Sequence, residues 1–114
     1  MAKLKQRRRR EPPATSEYTD PEGNVLVLRQ ELSPGTIRKL AERPASDAAS
    51  LDDAWARREE HLFERLAVRW TIAGMPIEDQ RTLLGRYRMG SAEERRWIRE
   101  TIGEHLERFL PELS

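Results

Sequence analysis

The densest chemistry in this chain is a run of cations near its start. Lys3, Lys5, Arg7, Arg8, Arg9 and Arg10 stand almost unbroken by other side chains. Clustered arginines neutralise phosphates and release counterions, which gives salt-sensitive, sequence-blind affinity for nucleic acid. The same cluster suits an acidic protein surface or an anionic membrane, and the bland reading is a solubilising tail. No aromatic residue interleaves the arginines, so base stacking by this arm is not expected.

Other reactive side chains are few. The only histidines are His61 and His105, and neither has metal-ligand spacing. A di-iron bundle pairs Glu-x-x-His motifs, but the positions that need Glu hold Arg58 and Ile102. Both histidines therefore read as half-buried helix residues. There is no cysteine, hence no thiolate nucleophile, disulfide or Cys-based zinc site. Glycine-rich nucleotide loops and the nucleophile elbow are missing. Carboxylates scatter beside arginines at helical surface spacing, as in a salt-bridged exterior. The expectation is a non-enzyme with no cofactor and no metal, because nucleophile, base and orienter do not come together. Trp55, Trp70 and Trp97 fall on or beside apolar stripes and read as core or interface anchors.

These residues need elements to position them. Of the 114 residues, 36% are charged and 37% hydrophobic, and no apolar run approaches the roughly 20 residues of a spanning helix. No signal peptide is expected, since the basic start runs into Glu11-Pro12-Pro13; a cytoplasmic location is the default. The net charge of +1 hides an asymmetry. Residues 1–14 carry six basic groups against one acidic, or +5, and the other 100 carry 15 against 19, or −4. The arm at 1–14 is expected to be disordered, because like charges repel and Pro12-Pro13 blocks a helix.

Residues 15–114 are expected to form a single domain. Asp20-Pro21-Glu22-Gly23 has the chemistry of a β-turn, and Val25 to Leu28 are β-formers, which predicts a hairpin over about 17–30. Ser33-Pro34 opens a helix over about 34–43. Leu51, Trp55, Leu62, Leu66 and Trp70 lie at helical spacing and predict a long helix over about 51–72, capped by Ser50 or Asp52 and stopped at Gly74. Another helix is predicted over about 76–88. Ser91-Ala92-Glu93-Glu94 is a capping box that starts a last helix over about 92–110. A helix-turn-helix would use this last helix to read DNA through Arg95, Arg96 and Arg99. Glu93, Glu94, Glu100, Glu104 and Glu107 oppose that, and favour a bundle helix. No internal repeat is visible. The fold class is α+β, mostly α: a disordered basic arm, an N-terminal β-hairpin, then about four helices in a small bundle.

The segment Tyr18-Thr19-Asp20-Pro21-Glu22-Gly23-Asn24-Val25-Leu26-Val27-Leu28-Arg29, followed by Leu32-Ser33 and a helix, resembles the opening of tail assembly chaperones of long-tailed bacteriophages and prophages. The resemblance covers about a quarter of the chain and transfers no signature residue. The Arg- and Ala-rich helical half is similar in flavour to proteins of high-GC actinobacteria and their phages. Those chaperones begin with a short hairpin, continue as helices, and bind the tape measure protein and tail tube subunits. The basic arm departs from that pattern. The functional expectation is a protein-binding adaptor that uses the hairpin edge or an apolar helix face. Val25, Val27 and Trp97 are the packing candidates, and the competing class is a nucleic-acid-binding protein held by the arm.

Overall fold

The computed structural model describes residues 14–42 and 51–114. The elements are β1 (Thr15–Thr19), β2 (Val25–Arg29), α1 (Pro34–Ala41), α2 (Leu51–Leu66), β3 (Ala67–Ile72), β4 (Met75–Ile77), α3 (Gln80–Arg88) and α4 (Ala92–Phe109), then a 3-10 turn at Pro111–Leu113. The four strands form one antiparallel sheet in chain order, β1-β2-β3-β4. Strand, strand, helix, helix occurs twice along the chain, a repeat of elements that the residues do not advertise. The class is α+β and mostly helical.

The first hairpin forms as its turn chemistry requires. Asp20 O accepts from Gly23 N at 3.0 Å, and Asp20 Oδ1 accepts from Glu22 N and Asn24 N at 2.8 and 2.9 Å. Gly23 takes the positive φ of +90° that such a turn needs. Ser33 caps α1 by accepting from Thr36 N, with Pro34 in the first turn. The capping box of α4 forms by half: Ser91 Oγ accepts from Glu94 N at 3.0 Å. The Glu94 carboxylate turns instead to Arg86 on α3, at 2.8 and 2.9 Å. Gly90 makes room for it, since a Cβ there would stand 2.5 Å from Glu94 Oε1.

Two expected helices are corrected. The helix expected over 51–72 ends at Leu66, and Ala67–Ile72 is a central strand. The helix expected over 76–88 starts only at Gln80, capped by Asp79, while Met75–Ile77 is an edge strand. The helical bundle is therefore a sheet with helices packed on it. A bulge accounts for the first difference. Val27 pairs with Arg69 but Leu28 pairs with Ala67, so Val68 is the extra residue on β3. Ala67 and Trp70 consequently both face the core, and their spacing of three imitates a helix. Gly74 ends no helix. It follows Ala73 in a two-residue turn with φ of +51° and +80°, the primed geometry of tight hairpins. The remaining boundaries shift by one or two residues: the hairpin spans 15–29, α1 34–41 and α4 92–109. The proposed caps Ser50 and Asp52 fall where no side chain is described.

One face of the sheet carries the core. Tyr18, Leu26, Trp70 and Ile77 follow one another across all four strands. Leu26, Leu28, Phe63, Leu66, Trp70, Ile98 and His105 are fully buried. Trp70 meets Phe63 edge-on at 5.7 Å, and the Arg86 guanidinium lies 5.2 Å from its ring centroid. Arg88–Glu60 and Arg99–Glu59 tie α3 and α4 to α2 at 3.0 and 2.9 Å. Such solvent-exposed pairs add little to stability, so they serve to hold the helices against one another more than to stabilise the fold.

Candidate docking surfaces

The sheet has two outer edges, and their backbones differ. Gln30 N donates to Ala14 O at 3.0 Å and Asp20 N to Asn24 O at 2.9 Å. Facing pairs in an antiparallel ladder alternate between bonded and unbonded. Ser16–Leu28 and Tyr18–Leu26 are therefore the bonded pairs between β1 and β2. The N–H groups of Thr15, Glu17 and Thr19 point outward, as do the carbonyls of Glu17 and Thr19. Among the described residues no strand covers them. Thr15 O is taken by the Gln30 side chain at 3.2 Å.

On β4 the same alternation gives the opposite result. The two-residue turn makes Ile72–Met75 a bonded pair, so Trp70–Ile77 is bonded too and Thr71–Pro76 is not. The single residue of β4 whose backbone points outward is Pro76, which has no N–H. This edge is three residues long and offers no outward donor.

The open edge is tied to the helical layer. Tyr18 Oη lies 2.6 Å from His105 Nδ1, and His105 Nε2 lies 2.6 Å from Arg29 O. A carbonyl only accepts, so Nε2 carries the proton and Nδ1 accepts from the tyrosine hydroxyl. One α4 side chain thus pins both strands of the first hairpin. Burial pushes the His105 pKa down, against the pull of the Arg29 carbonyl, and Arg108 lowers it further. A tyrosine–histidine pair suits acid–base chemistry, but this ring is fully buried and both of its nitrogens are engaged. It is a structural tie. His105 is more deeply buried than its sequence position suggests, whereas His61 is exposed.

A second tie joins the two turns. Asn24 Oδ1 accepts from Ala73 N at 3.0 Å, and Asn24 Nδ2 donates to Asp20 Oδ2 at 3.2 Å. Ala73 is the one non-glycine residue with positive φ among those described.

On the helical side, a groove of about 260 Å³ opens between α2 and α4. Its floor is apolar: Leu62, Tyr87, Ile98, Ile102, Leu106 and Leu113. Its rim is charged, with Arg58, Glu59, Arg99 and Glu107, and Trp55 stands on the lip. Trp55 is 43% exposed, with the Arg58 guanidinium 5.8 Å from its ring centroid. Arg58 also donates to Leu113 O at 3.0 Å. Burial raises the Tyr87 hydroxyl pKa, and Glu59 and Glu60 add to the shift.

The residues singled out from sequence do not converge. Val25 and Val27 sit on the sheet face opposite the core. Val27 is only 3% exposed, flanked in register by Glu17 and Arg69. Trp97 is half-buried against the core on α4. Lys3, Lys5 and Arg7 to Arg10 lie outside the described residues. The Tyr18–His105 tie spans 87 positions and no local pattern signals it. Trp55 carried a signal, as the first tryptophan of the α2 stripe, but nothing marked it as exposed. Among the described residues no helix is long and apolar enough to cross a membrane. None of their His, Asp and Glu side chains gather in a group of three or more that would hold a metal. No protein-family model, curated protein or solved structure matches this chain.

Proposed function

We propose that this chain is a non-catalytic protein-binding adaptor that accepts an extended segment of its partner along β1. The observation that carries the reading is the asymmetry of the sheet: one edge is closed by Pro76, and the other presents outward donors and acceptors on a strand pinned by His105. Main-chain pairing along a free edge gives affinity, and alternate side chains give specificity. A partner residue opposite Glu17 is best basic, because unlike charges directly across a sheet attract. Within this reading, the tail assembly chaperone is the narrower proposal. It is supported by the hairpin-then-helix opening, and its partners would be tail structural proteins. A cytoplasmic site of action goes with it.

The competing reading is nucleic-acid binding through Lys3, Lys5 and Arg7 to Arg10, favoured by the +5 charge of the arm. One experiment separates the two. The tagged chain, its Glu17→Pro variant and a chain lacking residues 1–14 are used to capture partners from host lysate, with and without nuclease. Glu17 has an outward N–H, so proline there removes an edge donor without breaking a bond to β2. The adaptor reading expects a defined protein that survives nuclease and is depleted at least about tenfold by Glu17→Pro, the scale of one lost hot spot. Recovery of nucleic acid that depends on the arm, with no edge-dependent protein, contradicts it. Tape measure or tail tube subunits among the captured proteins would support the narrower proposal.

A further inference from the structure

We infer that the groove between α2 and α4 is filled by a second copy of this chain, with each Trp55 seated in the other copy's groove. The volume of about 260 Å³ lies below the roughly 300–1,000 Å³ of sites that enclose drug-sized ligands. It suits one large anchoring side chain. The floor is apolar, so the anchor must be apolar too, and tryptophan is among the residues enriched at interface hot spots.

The same patch supplies the anchor. Among the described residues, the exposed large apolar side chains are Trp55, Met75 and Met89, and only Trp55 lies on the groove. A surface that holds both a cavity and the group to fill it is self-complementary about a two-fold axis, the usual symmetry of homodimers.

Charge agrees. The rim has two arginines and two glutamates. Arg99 and Glu59 satisfy each other at 2.9 Å. Among the residues whose side chains are described, Arg58 and Glu107 take part in no salt bridge, and Arg58 donates only to the Leu113 carbonyl. A half-turn sets Arg58 against the partner's Glu107, and Glu107 against the partner's Arg58. A rim of one sign would repel its own copy; this one does not.

The dimer does not depend on strand addition at β1. The two together would make a bivalent adaptor with two open edges, and bivalence raises avidity without new contacts.

Sedimentation equilibrium across a concentration series tests the inference on the full chain, its Trp55→Ser and Gly103→Leu variants, and Glu17→Pro. Gly103 lines the groove, and a Cβ built there meets nothing within 4 Å, so a leucine side chain leaves the backbone into open space and occupies the groove. Circular dichroism verifies that each variant is folded. The expected result is a wild-type dimer whose Kd rises at least about tenfold in both groove variants and is unchanged in Glu17→Pro. A wild-type chain that stays monomeric up to about 1 mM overturns the inference. So does a dimer that survives both groove variants, and so does one lost only on Glu17→Pro, which would place the contact at the sheet edge.

Discussion

The first hairpin and the second are built to the same plan and finish differently. Each is a tight antiparallel pair, and the two turns are tied by Asn24. At the first, the outer strand is five residues long and pinned from below by a buried histidine. At the second, the outer strand is three residues long and carries proline where its backbone faces out. Free edges are a liability in soluble proteins and are commonly blunted by short strands, proline or charge. Here one edge is closed by its length and by proline, and the other carries a charge but keeps its outward donors. Glu17 in the middle of β1 sets like charge against like if two β1 edges pair antiparallel about their centres. The open edge is thus guarded against its own copy, while a basic partner strand is favoured.

The largest expected effect comes from removing what holds the open edge. His105→Ala deletes a fully buried ring and leaves the Tyr18 hydroxyl and the Arg29 carbonyl without their partner. A loss of about 3 kcal/mol is expected, measured by urea denaturation. The amides of β1 should also exchange faster than those of β3. If β1 amides are unchanged while global stability falls, the tie is ordinary core packing and the comparison loses its basis.

Acid gives a smaller perturbation of the same tie. The folded-state pKa of His105 is lowered, chiefly by burial. The neutral ring therefore contributes stability that is fully present above the ordinary histidine value of about 6.5 and is lost as pH falls below it. Thermal unfolding followed from about pH 7.5 to 5 should show wild type losing more stability than His105→Gln, which cannot titrate. Parallel losses in the two would remove His105 as the cause.

The smallest effect is expected at the closed edge. Pro76→Thr restores an outward N–H to β4. Fold stability should change by no more than about 0.5 kcal/mol, as for an ordinary surface substitution. Weak concentration-dependent association should appear by light scattering, because a capped edge has been opened. An unchanged scattering profile would mean that length, not proline, closes β4.

How much of this was legible beforehand follows the range of the signals. The Asp20–Gly23 turn, the Ser33 cap and the start of α4 at Ser91 are each encoded within about four residues, and all three formed. The second hairpin was missed because the apolar spacing Leu62, Leu66, Trp70 runs straight through the junction at Leu66–Ala67. The bulge at Val68 then keeps Ala67 and Trp70 three apart on one face. The better cue was composition: Val68, Trp70, Thr71 and Ile72 are β-formers, and Ala73-Gly74 follows as a turn. The edges were half legible, since Pro76 is visible in the sequence but its outward register is not. The groove and the His105 tie were not legible at all, because each is made by residues distant in sequence.

The most direct test of the open edge is amide hydrogen exchange on β1, with and without the captured partner. The free chain should exchange quickly at Thr15, Glu17 and Thr19 and slowly at Ser16 and Tyr18, whose N–H groups face β2. Binding should protect Glu17 and Thr19 and leave the β4 edge unchanged. A partner that binds without slowing exchange at Glu17 and Thr19 would contradict strand addition, whatever its affinity.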